Sequence, residues 1–248
     1  MLINTVVLFL RELLPVLLLL SLLLLWQRGQ WRQLIAGMLL VSLPGMLLLT
    51  SQFSHISQWY DGQGLELLYA LLYLLVAALL ALAFFRAQSR WWILGCAIAA
   101  ISCLSWVHGA NLVLYLWFYQ RDSADLQNLW LGAALGLGIG CRVAVLLYYA
   151  VKELHHYWKF SLTLMLALLG ARQVSMAAAL FIQSEWLVPG PVLWDSEWLI
   201  AETSEYGHFL NALLGYEATP SVSRLLAFGL TLLLLMLLGR RLEVIPCN

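Results

Sequence analysis

The stretch from Leu2 to Trp26 reads LINTVVLFLRELLPVLLLLSLLLLW, and one adjacent pair, Arg11 and Glu12, supplies its only charges. About 20 apolar residues carry a helix across the hydrocarbon core of a bilayer, so this run is long enough to span it. It lacks a basic n-region and a small-residue cleavage site and is too long for a signal-peptide core, so it is expected to stay in the protein. Working outward, punctuation separates further apolar runs and gives spans at 2–26, 33–50, 64–85, 91–118, 129–151, 160–183 and 222–239. These runs are continuous instead of alternating, which excludes a transmembrane β-barrel. The stretch Ser42-Leu43-Pro44-Gly45 is expected to kink the second run.

The rest of the composition agrees. Of 248 residues, 63% are apolar and 10% charged, against about 25% charged in a soluble chain. The chain therefore reads as a single all-α integral membrane domain over residues 1–248, with the lipid bilayer as its first partner. Thirteen basic and thirteen acidic residues leave no basic surplus, which argues against a nucleic acid. Cys96, Cys103, Cys141 and Cys247 form no CxxC pair, so neither a disulfide framework nor a zinc module is expected.

Orientation follows from the basic residues. Arg28, Arg32, Arg86, Arg90, Lys152, Lys159, Arg240 and Arg241 flank one side of the spans, and Arg121 and Arg224 the other. The positive-inside rule then puts the N-terminus outside and the C-terminus in the cytoplasm. With seven spans, the first three run opposite to the next three, a parity that permits a 3+3 inverted repeat plus a seventh helix. The outer segment 184–220 holds Glu185, Asp195, Glu197, Glu202, Glu205 and Glu217 without Lys or Arg, and is expected to pack against the membrane surface.

Ionisable groups at membrane depth cost about 2.5–3.5 kcal/mol each on insertion scales and call for a partner or a task. Arg11 and Glu12 lie in span one, and Glu66 opens span three with Tyr69 and Tyr73 on its face. His108, Asn111 and Tyr115 form one polar stripe on span four, and Arg142 and Arg172–Gln173 sit mid-span in five and six. Glu12 and His108 lie at one depth, roughly 15 Å from the outer ends of their helices at 1.5 Å per residue. Two readings stay open: a polar pathway lined by Glu12, Glu66 and the His108 stripe, or interior arginines that pair with the glutamates and lock helices together. Under the second, Arg11 or Arg172 is expected within hydrogen-bond reach of Glu12, and Glu12→Ala costs roughly 3–5 kcal/mol by analogy with broken buried pairs. His155 and His156 read as interface residues, Cys96 and Cys103 as small packing residues, and Trp91, Trp92 and Trp130 as interfacial anchors. His55 and His208 have no second ligand at recognisable spacing.

At these residues the chain resembles the oxidase-dependent (high-affinity) iron permeases of bacteria and fungi. Phe9-Leu10-Arg11-Glu12-Leu13-Leu14-Pro15 follows the first Arg-Glu-Gly-Leu-Glu signature through its first glutamate. Trp194-Asp195, Gly207 and Leu214-Gly215-Tyr216-Glu217-Ala218-Thr219-Pro220-Ser221-Val222-Ser223 look like that family's last outer segment. Glu66-Leu67-Leu68-Tyr69, Phe84-Phe85-Arg86-Ala87-Gln88-Ser89-Arg90 and Tyr157-Trp158-Lys159-Phe160 match in register. The departures lie in the acids. Pro15 replaces the second glutamate, Val107-His108-Gly109-Ala110-Asn111 replaces the signature in span four, and Tyr69 replaces the acid expected after Glu66.

The resemblance implies seven spans in a bacterial inner membrane, N-terminus periplasmic, and transport of iron or another transition metal, with a periplasmic metal-binding protein or an oxidase as partner. Capture would begin at Asp195, Glu202 and Glu205, and passage would follow Arg11, Glu12, Glu66, His108 and Asn111, with Glu12, Glu66 and His108 as metal ligands. No resident cofactor and no enzymatic activity are expected. The alternative is a family member without transport, acting as a subunit or anchor alongside other membrane subunits.

Overall fold

The computed structural model describes residues 2–86, 89–119 and 126–240, and not the side chains of Tyr119, Leu126 and Glu205. Arg121, Cys247 and Arg241 lie outside the described residues. The helices are α1 Leu2–Trp26, α2 Trp31–Ser51, α3 Phe53–Ile56, α4 Gly64–Phe85, α5 Arg90–Tyr119, α6 Leu126–Tyr157, α7 Ser161–Gln183, α8 Glu205–Leu214 and α9 Val222–Gly239. Seven of them (α1, α2, α4, α5, α6, α7 and α9) are long and apolar enough to cross a membrane, the build of a multi-pass membrane protein. Among the described residues no strand forms beyond an isolated antiparallel bridge between Val192 and Ser221. The expected kink at Pro44 does not interrupt α2, which is helical from Trp31 to Ser51, with Ser42 Oγ donating to Met38 O.

Packing follows where glycines remove side-chain bulk. α1 lies beside α6, α2 beside α5, α4 against α5 and α7, and α7 against α9. On α6, Gly132 faces Thr5, Gly136 faces Phe9 and Gly140 faces Leu17, so α1 and α6 run parallel. α2 and α5 also run parallel, with Gly37 under Ile98, Gly45 under the Trp106 ring and Gly109 under Met46. Small residues at such contacts let helices approach closely where lipid offers no hydrophobic drive for association. The principal core joins Leu18, Leu22, Val76, Leu80, Phe84, Ile101, Leu104, Leu166 and Leu235, from α1, α4, α5, α7 and α9. α2, α6 and α9 stand at the rim.

Of segment 184–220, residues 185–199 are exposed apart from a half-buried Ser196, and the stretch from α8 onward turns inward. Ser204 caps α8 by accepting from Gly207 N, and Gly215 ends it in the left-handed region at φ 73°. α8 packs against α1 and α7, and the chain after it brings Glu217 to 2.7 Å from Ser175 Oγ. Ser175 lies roughly 12 Å down α7 from its Gln183 end at 1.5 Å per residue. The segment therefore dips into the bundle. Its buried acid, Glu217, needs the cation of Arg224 on α9 at 2.6 Å, and burial still pushes its carboxyl above the usual range.

The glycine seams give a direct stability test. A Cβ on Gly136 stands 2.6 Å from Phe9 Cβ and 3.1 Å from Val6 O, whereas one on Gly138 meets nothing within 4 Å. Gly136→Val is expected to lose about 1–3 kcal/mol through overpacking. Gly138→Ala should unfold in detergent at or above the parent's temperature. Equal losses in the two variants would refute the assignment of the inward face of α6.

Candidate functional site

Glu12 is buried, and both of its oxygens are engaged. Arg11, its chain neighbour, donates to Oε1 from Nε at 3.3 Å and Nη2 at 3.1 Å. His108 Nδ1 lies 2.8 Å from Oε2, and Asn111 Nδ2 donates to the same oxygen at 3.4 Å. An ionised carboxylate only accepts, so His108 carries its hydrogen on Nδ1 when neutral, leaving Nε2 as the open lone pair. That Nε2 is buried and has no protein partner among the described residues. Asn111 Oδ1 in turn accepts from Tyr69 Oη at 3.2 Å, and the Tyr73 ring stands 6.1 Å from the His108 ring. α1, α4 and α5 thus meet in one hydrogen-bonded network.

The helices position these groups by simple offsets. Residues 108 and 111 are three apart, so both face α1, and Tyr115 one turn further pairs with Thr5 at 3.0 Å. Tyr69 and Tyr73 share a face of α4 and approach the same point. Tyr69 and Asn111 are bonded to each other, and His108 is bonded to Glu12.

Other expected residues fall elsewhere. Glu66 stands at the start of α4, bonded to Gln183 Nε2 at 3.0 Å and Ser184 Oγ at 3.3 Å at the end of α7. Among the described residues no three His, Cys, Asp or Glu side chains come close enough to hold a metal ion. Of the expected ligands Glu12, Glu66 and His108, the structure brings Glu12 and His108 together, and Glu66 stands apart at the start of α4. Asp195 is exposed and caps its own turn by accepting from Glu197 N at 2.9 Å. Glu202 is half-buried on the same segment, and the Glu205 side chain lies outside the described residues. Among the described residues Asp195 and Glu202 form no metal-holding group with a third ligand.

The interior arginines divide. Arg11 is bonded to Glu12 yet 55% exposed, so it is not a stranded interior charge. Arg172 is buried at 6% exposure and donates to Asn211 Oδ1 on α8 at 3.2 Å. Arg142 is turned outward from the bundle, because the glycine face of α6 takes the inward side. Spacing alone did not single out Asn211 or the Ser175–Glu217–Arg224 chain; their signal was the Gly-Tyr-to-Pro-Ser stretch, read for resemblance and not for contacts. His208 on α8 is held below the usual imidazole range by burial, with the Arg11 charge adding to the effect and Glu202 opposing it. Cys96 and Cys103 are buried free thiols within the packing.

The exposure of Arg11 lowers the cost expected for losing Glu12. Glu12→Ala leaves His108 Nδ1 and Asn111 Nδ2 without their acceptor, at about 1–3 kcal/mol for a buried donor left unmade. Arg11→Leu should cost under about 1 kcal/mol, as for an exposed ion pair. Thermal unfolding in detergent measures both. A larger loss for Arg11→Leu than for Glu12→Ala would mean that Arg11, and not the α1–α5 crossing, is the part that matters.

Searches against protein-family models, curated proteins and solved structures find no match to this chain.

Proposed function

We propose that this protein is a metal-ion permease of the oxidase-dependent iron permease type, in a bacterial inner membrane with its N-terminus in the periplasm. The observation that carries the reading is the 2.8 Å contact of Glu12 with His108. These residues hold the same place in the two signature-like stretches, 11–15 and 107–111, and they meet in the bundle interior. The packing supports two inverted halves: exchanging α1, α2 and α4 for α5, α6 and α7 turns the parallel α1–α6 pair into the parallel α5–α2 pair. The basic residues Arg28, Arg32, Arg86, Arg90, Lys152 and Lys159 support the orientation.

The cargo enters past Glu66 and reaches Glu12 by displacing Arg11, the exposed donor on Oε1. His108 Nε2, on the side of the ring turned away from Glu12, is a further buried nitrogen beside that position. One carboxylate and one imidazole suit a divalent or softer ion better than ferric iron, a hard cation that prefers an all-oxygen set. A periplasmic metal-binding protein or an oxidase would deliver the ion.

A second reading has its own observation. Both oxygens of Glu12 are already bonded, and Tyr69 and Asn111 satisfy each other instead of facing an ion. This is what an internal lock looks like, in a family member that serves as a membrane subunit without transport.

Metal accumulation in cells separates the two. Glu12→Gln and His108→Ala, with membrane levels matched by blot, are expected to cut uptake of the transported ion at least ten-fold, and Glu66→Gln to reduce it less. Parental levels of iron, copper and manganese in all three variants would leave the subunit reading.

A further inference from the structure

Arg142 lies at the middle of α6, roughly 22 Å along the axis from either end at 1.5 Å per residue. The hydrocarbon half-thickness is about 15 Å, so the helix buries this residue near the bilayer midplane. Its side chain is exposed and has no bonded partner among the described residues. Leu135, Gly138, Ile139, Val145, Leu146 and Tyr149, at helical spacings from it, form the same outward face. Arg11, the other outward arginine within a span, is already neutralised by Glu12. A lone guanidinium facing lipid at this depth is unfavourable, and snorkelling relieves it best near helix ends.

We propose that this face of α6 is a docking surface for a transmembrane helix of another protein that carries an Asp or Glu at mid-membrane depth. Charge complementarity names the partner: an acid opposite Arg142 forms an ion pair in a medium that scarcely screens it. A second copy of this chain does not fit. Among the described residues no Asp or Glu points outward from the middle of a span, and a two-fold interface on this face would set Arg142 against Arg142. The surface is also shaped for close approach. Ala134 and Gly138 are exposed one turn apart, and the space over Gly138 is open to 4 Å. This inference rests on α6 alone and holds under either reading of function.

The exposed thiol of Cys141, next to Arg142, supplies the reporter. The full chain in phosphatidylcholine liposomes is mixed with synthetic leucine–alanine transmembrane peptides bearing one cysteine and a central Glu, Leu or Lys. Disulfide formation with Cys141, driven by an added oxidant (oxygen with copper–phenanthroline) that takes up the two electrons, is then scored, with Cys141→Ser as background. The Glu peptide is expected to cross-link at least ten-fold more than the Leu peptide. Arg142→Leu should bring it down to the Leu level, Arg142→Lys should keep much of the preference, and Arg142→Glu should transfer it to the Lys peptide. Because the charge swap reads a gain, it decides the matter even if Arg142→Leu fails to insert. Equal cross-linking by the Glu and Leu peptides would overturn the proposal. So would loss of the Glu preference when phosphatidylglycerol is added, which would assign Arg142 to lipid, or a dominant Cys141–Cys141 dimer, which would assign the face to a second copy.

Discussion

A carboxylate placed among apolar helices has to be answered by donors, and Glu12 is answered from its own helix and from α5. His108 and Asn111 must present their nitrogens to one oxygen, which fixes the rotation of α5 about its axis and its height against α1. With that rotation set, Tyr115 reaches Thr5, Tyr69 reaches Asn111, and Gly109 of α5 turns toward Met46 of α2. Apolar packing alone tolerates many rotations of a leucine-rich helix in lipid, since one leucine face is as good as another. The buried polar contacts select one.

The spans were legible because hydropathy is a local property: the predicted ends lie within three residues of a helix end, except that the fifth run stops six residues before α6 ends at Tyr157. The facing of each helix was not. On α6, Arg142 was read as an interior charge because a mid-span arginine is costly wherever it stands. The contrary signal was present in Gly132, Gly136 and Gly140, spaced four apart. At about 100° per residue, Arg142 lies roughly 200° around from Gly140. If the glycine stripe faces a neighbour, the arginine must face away, and both occur.

The candidate site was legible in part for a related reason. Glu12, His108 and Asn111 were picked out by depth and helical offset, both calculable along one helix, and they do meet. Glu66 stands apart from them, at the first turn of α4, where the end of α7 claims it, and its partners Gln183 and Ser184 carry no signal along one helix. The descent of residues 205–217 was illegible because it depends on contacts between distant parts of the chain. Arg172 to Asn211 and Glu217 to Ser175 and Arg224 carry no local periodicity. Acidic composition without basic residues suggested a surface segment. The buried acid instead finds its cation on α9.

The side chains gathered around Glu12 are energetically coupled. Asn111 serves two partners at once, giving its nitrogen to Glu12 and its oxygen to Tyr69. A glutamate at 111 would set a second anion against Glu12, and two carboxylates sharing one buried site cannot both stay ionised without a cation between them. In a chain built to hold a highly charged ion, that repulsion is the means of binding. Here Arg11 and His108 supply the counter-charge and donors to a single acid, so the centre is satisfied without cargo. Asn111 and His108 therefore act together in a centre completed by its own side chains. On the permease reading proposed above, an ion would have to compete with Arg11 for one oxygen of Glu12, which favours a weakly held, readily released ion over a tightly captured one.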